Sequence, residues 1–170
     1  MKSKDISLCS EVYKSDVEKI YYWLNDEEII SCLNEDKNVK RNLLNIINRV
    51  NMPILTHLFN NNCRFFIIKD TYQSVGFIRL IPKIEKAEVV IVVGEKALWG
   101  NGIGHNAMIE LLKVAFFEMR YNAVIAKIKK SNLRSHNLFK GIGFNKVREL
   151  EKEIEYHINL ENFLKNIKIA

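Results

Sequence analysis

Trp99-Gly100-Asn101-Gly102-Ile103-Gly104 is the stretch on which the fold turns. Just upstream, Ala87 to Val93 (Ala-Glu-Val-Val-Ile-Val-Val) is an apolar run of strand length, and Gly94 to Leu98 is a connection. Downstream, Met108, Leu111, Leu112, Ala115, Phe116 and Met119 recur at helical spacing, so Gly102 opens a helix. Glycines alternating where a strand hands over to a helix let the main chain take positive φ and approach a ligand closely. The unpaired N–H groups of the first helical turn, aligned with the helix dipole, attract an anion. A diphosphate suits such a place. The plainer reading of three alternating glycines is a tight turn with no ligand.

Other phosphate-binding patterns fit less well. A Walker loop requires Gly-x-x-x-x-Gly-Lys-Ser/Thr, and the chain has no such string. A dinucleotide fingerprint counted from Gly100 requires glycine where His105 stands. The acid it needs about 20 residues later would fall in Arg120 to Ala126, which holds none.

Outward from this centre, Arg64 to Lys69, Val75 to Ile81 and Ala87 to Val93 predict three strands with short turns, an antiparallel meander. Ala123 to Ile128 predicts a strand parallel to Ala87 to Val93, because a helix crosses between them. Ser131 to Lys140 predicts a helix, Asn145 to Leu150 and Tyr156 to Leu160 two strands, and a short helix closes the chain. Before the meander, Asp5 to Tyr13 predicts a strand. Ser15-Asp16-Val17-Glu18 reads as a capping box for a helix through Trp23 or Leu24. Asp26 caps a short helix from Glu27 to Leu33, and Val39, Leu43, Ile46, Ile47 and Val50 mark an amphipathic one. Pro53 to Asn62 is ambiguous, with a helical turn at His57 to Phe59.

The bulk numbers agree with one globular domain over residues 1–170: 48% of residues are hydrophobic and 27% charged. Cys9, Cys32 and Cys63 are odd in number and form no Cys-x-x-Cys pair, which argues against a disulfide framework or a metal site. No apolar run approaches the roughly 18 residues of a membrane span, so no membrane association and a cytoplasmic location are expected. The net charge is +6, with a basic excess at Lys127, Lys129, Lys130, Arg134, Lys140, Lys146 and Arg148. A nucleic-acid face would want basic residues interleaved with aromatics on one side, and this excess could equally serve a small polyanion, so nucleic acid is disfavoured as a partner.

Trp99-Gly100-Asn101-Gly102-Ile103-Gly104 resembles the acetyl-CoA motif Gln/Arg-x-x-Gly-x-Gly/Ala of the GNAT N-acetyltransferase superfamily. Trp99 departs from the Gln or Arg of the first position. A Trp-Gly-x-Gly start is similar to the branch holding ribosomal-protein N-terminal and polyamine acetyltransferases. Downstream, Asn132-x-x-Ser135-x-x-Leu138-Phe139-x-x-x-Gly143-Phe144 resembles the same branch's Asn-x-x-Ser segment. The resemblance covers residues 87 to 150 well and the first 60 in outline only. It implies an α/β (α+β) GNAT fold: a mixed, mostly antiparallel twisted sheet of six or seven strands flanked by helices, with a splay between strands four and five.

The resemblance also implies roles. Acetyl-CoA would be the co-substrate and a primary amine the acceptor: a protein N-terminus, a polyamine or an aminoglycoside-like molecule. The main chain of Ile91, Val92 and Val93 would pair with the pantetheine arm. Residues 100 to 105 (Gly100, Asn101, Gly102, Ile103, Gly104 and His105), after Trp99, would take the diphosphate. Asn132 would bond a pantetheine amide, and Lys140 would reach a phosphate or else be a solvated helix charge. Glu88 would be the base, acting through water, or else a strand residue beside Lys86. Phe139 stands where many members carry a tyrosine acid, which leaves Ser135 as the local substitute, with Tyr121 and Tyr156 as others. His105 and His136 are weighed as bases against ordinary surface histidines. Glu27, Glu28, Glu35 and Asp36 would favour a polycationic acceptor. A non-catalytic acyl-CoA sensor or docking module is the competing reading, and a homodimer is left open.

Overall fold

The computed structural model describes residues 5–33 and 38–167. Glu35 and Asp36 lie outside them. In chain order the elements are β1 (Ile6–Cys9), α1 (Lys14–Leu24), α2 (Glu27–Ser31), α3 (Val39–Arg49), α4 (Thr56–Phe59), β2 (Arg64–Asp70), β3 (Gln73–Pro82) and β4 (Lys86–Val93). Then follow α5 (Ile103–Lys113), β5 (Ala123–Lys129), α6 (Leu133–Ile142), β6 (Asn145–Glu149), β7 (Glu153–Asn159) and α7 (Leu160–Ile167). One sheet runs β1-β2-β3-β4-β5-β7-β6. All its pairs are antiparallel except β4 with β5, as a helical crossover between them requires.

Both faces of the sheet are covered, and strand alternation sorts the side chains. Phe66, Ile68, Ile78, Leu80, Ala87 and Val89 join Met108, Leu111, Leu112 and Phe116 in one core. Phe65, Ile67, Phe77 and Val92 join Val17, Ile20, Trp23, Ile29 and Leu43 of α1 to α3 in the other. Burial on both sides is why β2 and β3 read as nearly unbroken Phe, Ile and Val. Among the described residues no helix is long and apolar enough to cross a membrane.

The N-terminal region departs from its sequence reading. The first strand ends at Cys9 because the chain then turns to α4: Leu55 N–H donates to Val12 O at 2.7 Å, and Val12 N–H to Thr56 Oγ1 at 3.0 Å. Helix α1 starts at Lys14, ahead of the predicted cap Ser15. Asp16, not Glu18, reaches back to its start, accepting from Tyr13 N–H at 2.9 Å. Asp26 does cap α2, accepting from Glu28 and Ile29 N–H, but that helix stops at Ser31. The helix predicted through Met119 loosens into a π-helical turn over Val114–Glu118. Strand β7 begins earlier than predicted, at Glu153, and buries Glu155 between Arg148 and His157.

Candidate active site

Strands β4 and β5 pair only at Lys86–Ala123, Ala87–Val124 and Glu88–Ile125. Past Glu88 they part, and the gap opens into a cleft of about 300 Å³. One half is walled by Ile29, Cys32 and Leu33, with Glu28, Arg79 and Lys127. The other is walled by the Trp99–His105 turn and the start of α6.

Main-chain direction along β4 follows from its pairing. Gly94 N–H donates to Val75 O at 2.9 Å, and Val92 pairs with Phe77. Peptide groups alternate in an antiparallel strand, so Gly94 and Val92 turn toward β3 while Ile91 and Val93 turn toward the gap. Of the three residues expected to meet a ligand through the main chain, Val92 thus spends its N–H and C=O on β3. Its side chain still lines the cleft.

The glycine turn has the form the sequence requires. Gly100 and Gly102 hold φ of +78° and +80°, and Gly102 is the N-cap of α5. A methyl group at either would meet nothing within 4 Å, so the space above them is open. Gly104 instead packs under Leu138 and Val93. Gly100, Gly102, Ile103, Gly104 and His105 border the cleft; Asn101 is exposed and does not.

The other expected residues divide. Asn132 and Ser135 border the cleft, and Asn132 Oδ1 accepts from Ser135 N–H at 3.1 Å, capping α6. Phe139 borders it too and meets Phe144 edge-on, ring centroids 4.9 Å apart. Lys140 is exposed on α6 away from the cleft. Glu88 stands behind the wall, its Oε2 3.1 Å from Lys127 Nζ and 3.9 Å from Lys83 Nζ. His136 is buried, with Nδ1 2.9 Å from Tyr156 Oη and Nε2 3.0 Å from Lys129 O. Neither His136, Tyr121 nor Tyr156 borders the cleft.

The sequence reading passed over a network at the cleft mouth. Trp99 Nε1 donates to Val93 O at 2.7 Å. The Arg134 guanidinium lies 3.6 Å from the centroid of the Trp99 ring, and an Arg134 nitrogen is 3.6 Å from Glu28 Oε1. Lys96 Nζ is 3.3 Å from Glu28 Oε2 and 2.7 Å from Asp26 Oδ2. Hydrogen bonding from Lys96, with the amides of Ile29 and Glu28, holds the Asp26 carboxyl below its usual value. The signal available in sequence was Arg134 itself, a cation inside the Asn132-x-x-Ser135 segment. No periodicity tells that it stacks on a residue 35 positions upstream.

Comparison with known proteins agrees with this geometry. A 33% identical match over 93 residues joins the chain to an uncharacterized protein of Methanocaldococcus jannaschii, covering 54% of this chain and 19% of that one. The chain thus spans about a fifth of that relative's length. An N-acetyltransferase 9-like protein of Nematostella vectensis is 24% identical over 157 residues, 86% of this chain and 79% of that one. Two solved structures share the fold. Aminoglycoside acetyltransferase AAC(6')-Ib with paromomycin and acetyl-CoA gives a TM-score of 0.78 at 13% identity, covering 97% of this chain and 99% of that one. Spermidine N-acetyltransferase from Vibrio cholerae with CoA and spermine gives 0.73 at 17%, covering 94% and 98%. The family model of the acetyltransferase (GNAT) domain matches residues 10–145, and with a parted parallel strand pair beside a glycine-capped helix the chain belongs to that family.

Proposed function

We propose that this chain transfers an acetyl group from acetyl-CoA to a primary amine by direct attack. The observation that carries the reading is the juxtaposition of the open glycine rim at the N-terminus of α5 with gap-facing main chain at Ile91 and Val93. The residues present fit such a co-substrate. Open space above Gly100 and Gly102 suits phosphates, which the helix-start amides attract. The gap beside Ile91 and Val93 suits an amide-bearing arm. When bound, acetyl-CoA supplies the activated acetyl thioester.

The chain's own residues then have four tasks. The first-turn amides through His105 hold the diphosphate, with Lys140 reserved for an outer phosphate. Ile91, Val93 and Asn132 orient the arm, against the apolar Phe139. Glu88 takes the amine proton through water; it lies one residue behind Lys127 in the wall, so a water chain fits better than direct contact. Ser135, on the first turn of α6 in the cleft, returns a proton to the leaving thiolate. The acceptor is a protein N-terminus, a polyamine or an aminoglycoside-like amine; the neighbours that act on spermine or aminoglycosides support amines as a class.

Two observations favour a second reading, an acyl-CoA-binding module without catalysis: Phe139 in the tyrosine place, and Glu88 between two lysines. One experiment separates them. Thiol release from acetyl-CoA is followed across a panel of peptide N-termini, polyamines and aminoglycosides, with CoA affinity measured by calorimetry. Turnover that a Gly102→Val variant abolishes is the expected result. Tight CoA binding with no turnover on any amine would leave only the module.

A further inference from the structure

The Val93 carbonyl is already engaged. It accepts from the Trp99 indole N–H at 2.7 Å, and it belongs to one of the two gap-facing residues to which the proposed function assigns the co-substrate's arm. Trp99 itself borders the cleft. From the start of α6, Arg134 lays its guanidinium 3.6 Å from the centroid of that ring. The ring comes from the β4–α5 connection and the guanidinium from α6, and both residues border the cleft. Arg134 leans in turn toward Glu28 of α2, 3.6 Å away.

We propose that Trp99 is a specificity-determining placeholder. Its indole N–H keeps the Val93 carbonyl paired until a ligand brings an amide N–H of its own, and Arg134 clamps the ring in place meanwhile. The inference rests on the proposed function. Its physical core is an exchange. Swapping one N–H donor for another at the same oxygen costs little, whereas pushing the indole aside without a replacement leaves a half-buried carbonyl without its protein donor. An arm with amides is therefore preferred at this oxygen over a ligand without one. The clamp is modest by nature, since the guanidinium is exposed and a cation over a half-buried ring is a weak attraction that a ligand can open.

The protein carries its own reporter. Of its two tryptophans, Trp23 is buried and donates to Glu95 Oε1 at 3.1 Å, giving a steady background; Trp99 lies in the cleft. The full chain is titrated with CoA, with pantetheine (the amide arm without the diphosphate) and with adenosine 3′,5′-bisphosphate (phosphates without the arm). Tryptophan emission and calorimetric affinity are recorded together. CoA and pantetheine should shift the emission, and the bisphosphate should not. The shift should vanish in Trp99→Phe, which keeps a ring beneath Arg134 but has no competing N–H, and which should bind CoA about fivefold more tightly. Arg134→Gln, altering an exposed side chain, should associate with CoA about threefold faster. Bound CoA with unmoved wild-type emission would overturn the inference. So would a Trp99→Phe protein of unchanged melting temperature that binds CoA more weakly than the wild type. Failure of the wild type to bind CoA by calorimetry is a separate result, and it would remove the proposed function itself.

Discussion

His136 Nδ1 and the Tyr156 hydroxyl meet at 2.9 Å inside the core, while His136 Nε2 lies 3.0 Å from the Lys129 carbonyl. A carbonyl only accepts, so Nε2 carries the hydrogen; in the neutral ring Nδ1 then accepts from Tyr156. The pair ties the first turn of α6 to the end of β5 and the middle of β7, next to Ser135. Tyr156→Phe removes the donor and leaves a buried nitrogen without its partner. It should cost about 1–2 kcal/mol of stability in urea denaturation.

Gly102 separates ligand binding from folding. Its φ of +80° disfavours any side chain by about 1–2 kcal/mol, yet a Cβ there would touch nothing. Gly102→Val should therefore fold with a lowered melting temperature and lose CoA binding, because its methyl groups project into the open space above the turn. Gly94→Ala should behave differently. Its Cβ would run into the Trp23 indole, so the damage should appear in the fold itself, as loss of cooperative thermal unfolding.

Glu88→Gln preserves the size of the side chain and removes its charge. If Glu88 moves the amine proton, kcat should fall by about a hundredfold with CoA affinity unchanged, in steady-state assays and calorimetry respectively. The loss should be greatest at neutral pH, where the acceptor amine is mostly protonated, and smaller near pH 10.

Acid tests the β6–β7 turn. Hydrogen bonds from Lys130 and then Lys146 push the Glu149 carboxyl down to about 2 from 4.5. A depressed carboxylate favours the fold in full above 4.5, and that contribution is lost as the pH falls through about 2. A carbon-13 NMR titration should find Glu149 protonating well below 4.5. Lys130→Ala should move it back toward 4.5.

The centre of this chain was far more legible than its beginning. β4, the glycine turn and α5 announce themselves because three local signals coincide: an apolar strand run, positive-φ glycines and a helical stripe. The Ser15 capping box failed because Asp16, one position on, does the same job for a helix that starts at Lys14. The end of β1 was unreadable because its cause lies more than 40 residues away, where Thr56 takes Val12 N–H. At the candidate site, the places of Gly100, Gly102, Gly104, Asn132 and Ser135 along the cleft were readable because a turn and a helix cap set them locally. The meeting of Trp99 with Arg134 and Glu28 was not, since it depends on three separate segments converging. Lys140 keeps both of its readings, an exposed helix charge that does not line the cleft and a cation for an outer phosphate.

Only three register pairs join the β1–β4 half of the sheet to the β5–β7 half. The sheet is thus bound like a book along a short spine, with one core packed across both leaves, and the proposed site is the part its own backbone leaves unstitched. Whatever settles between those pages supplies the missing rungs. A bound ligand should therefore stiffen the whole protein and raise its melting point in proportion to how tightly it is held.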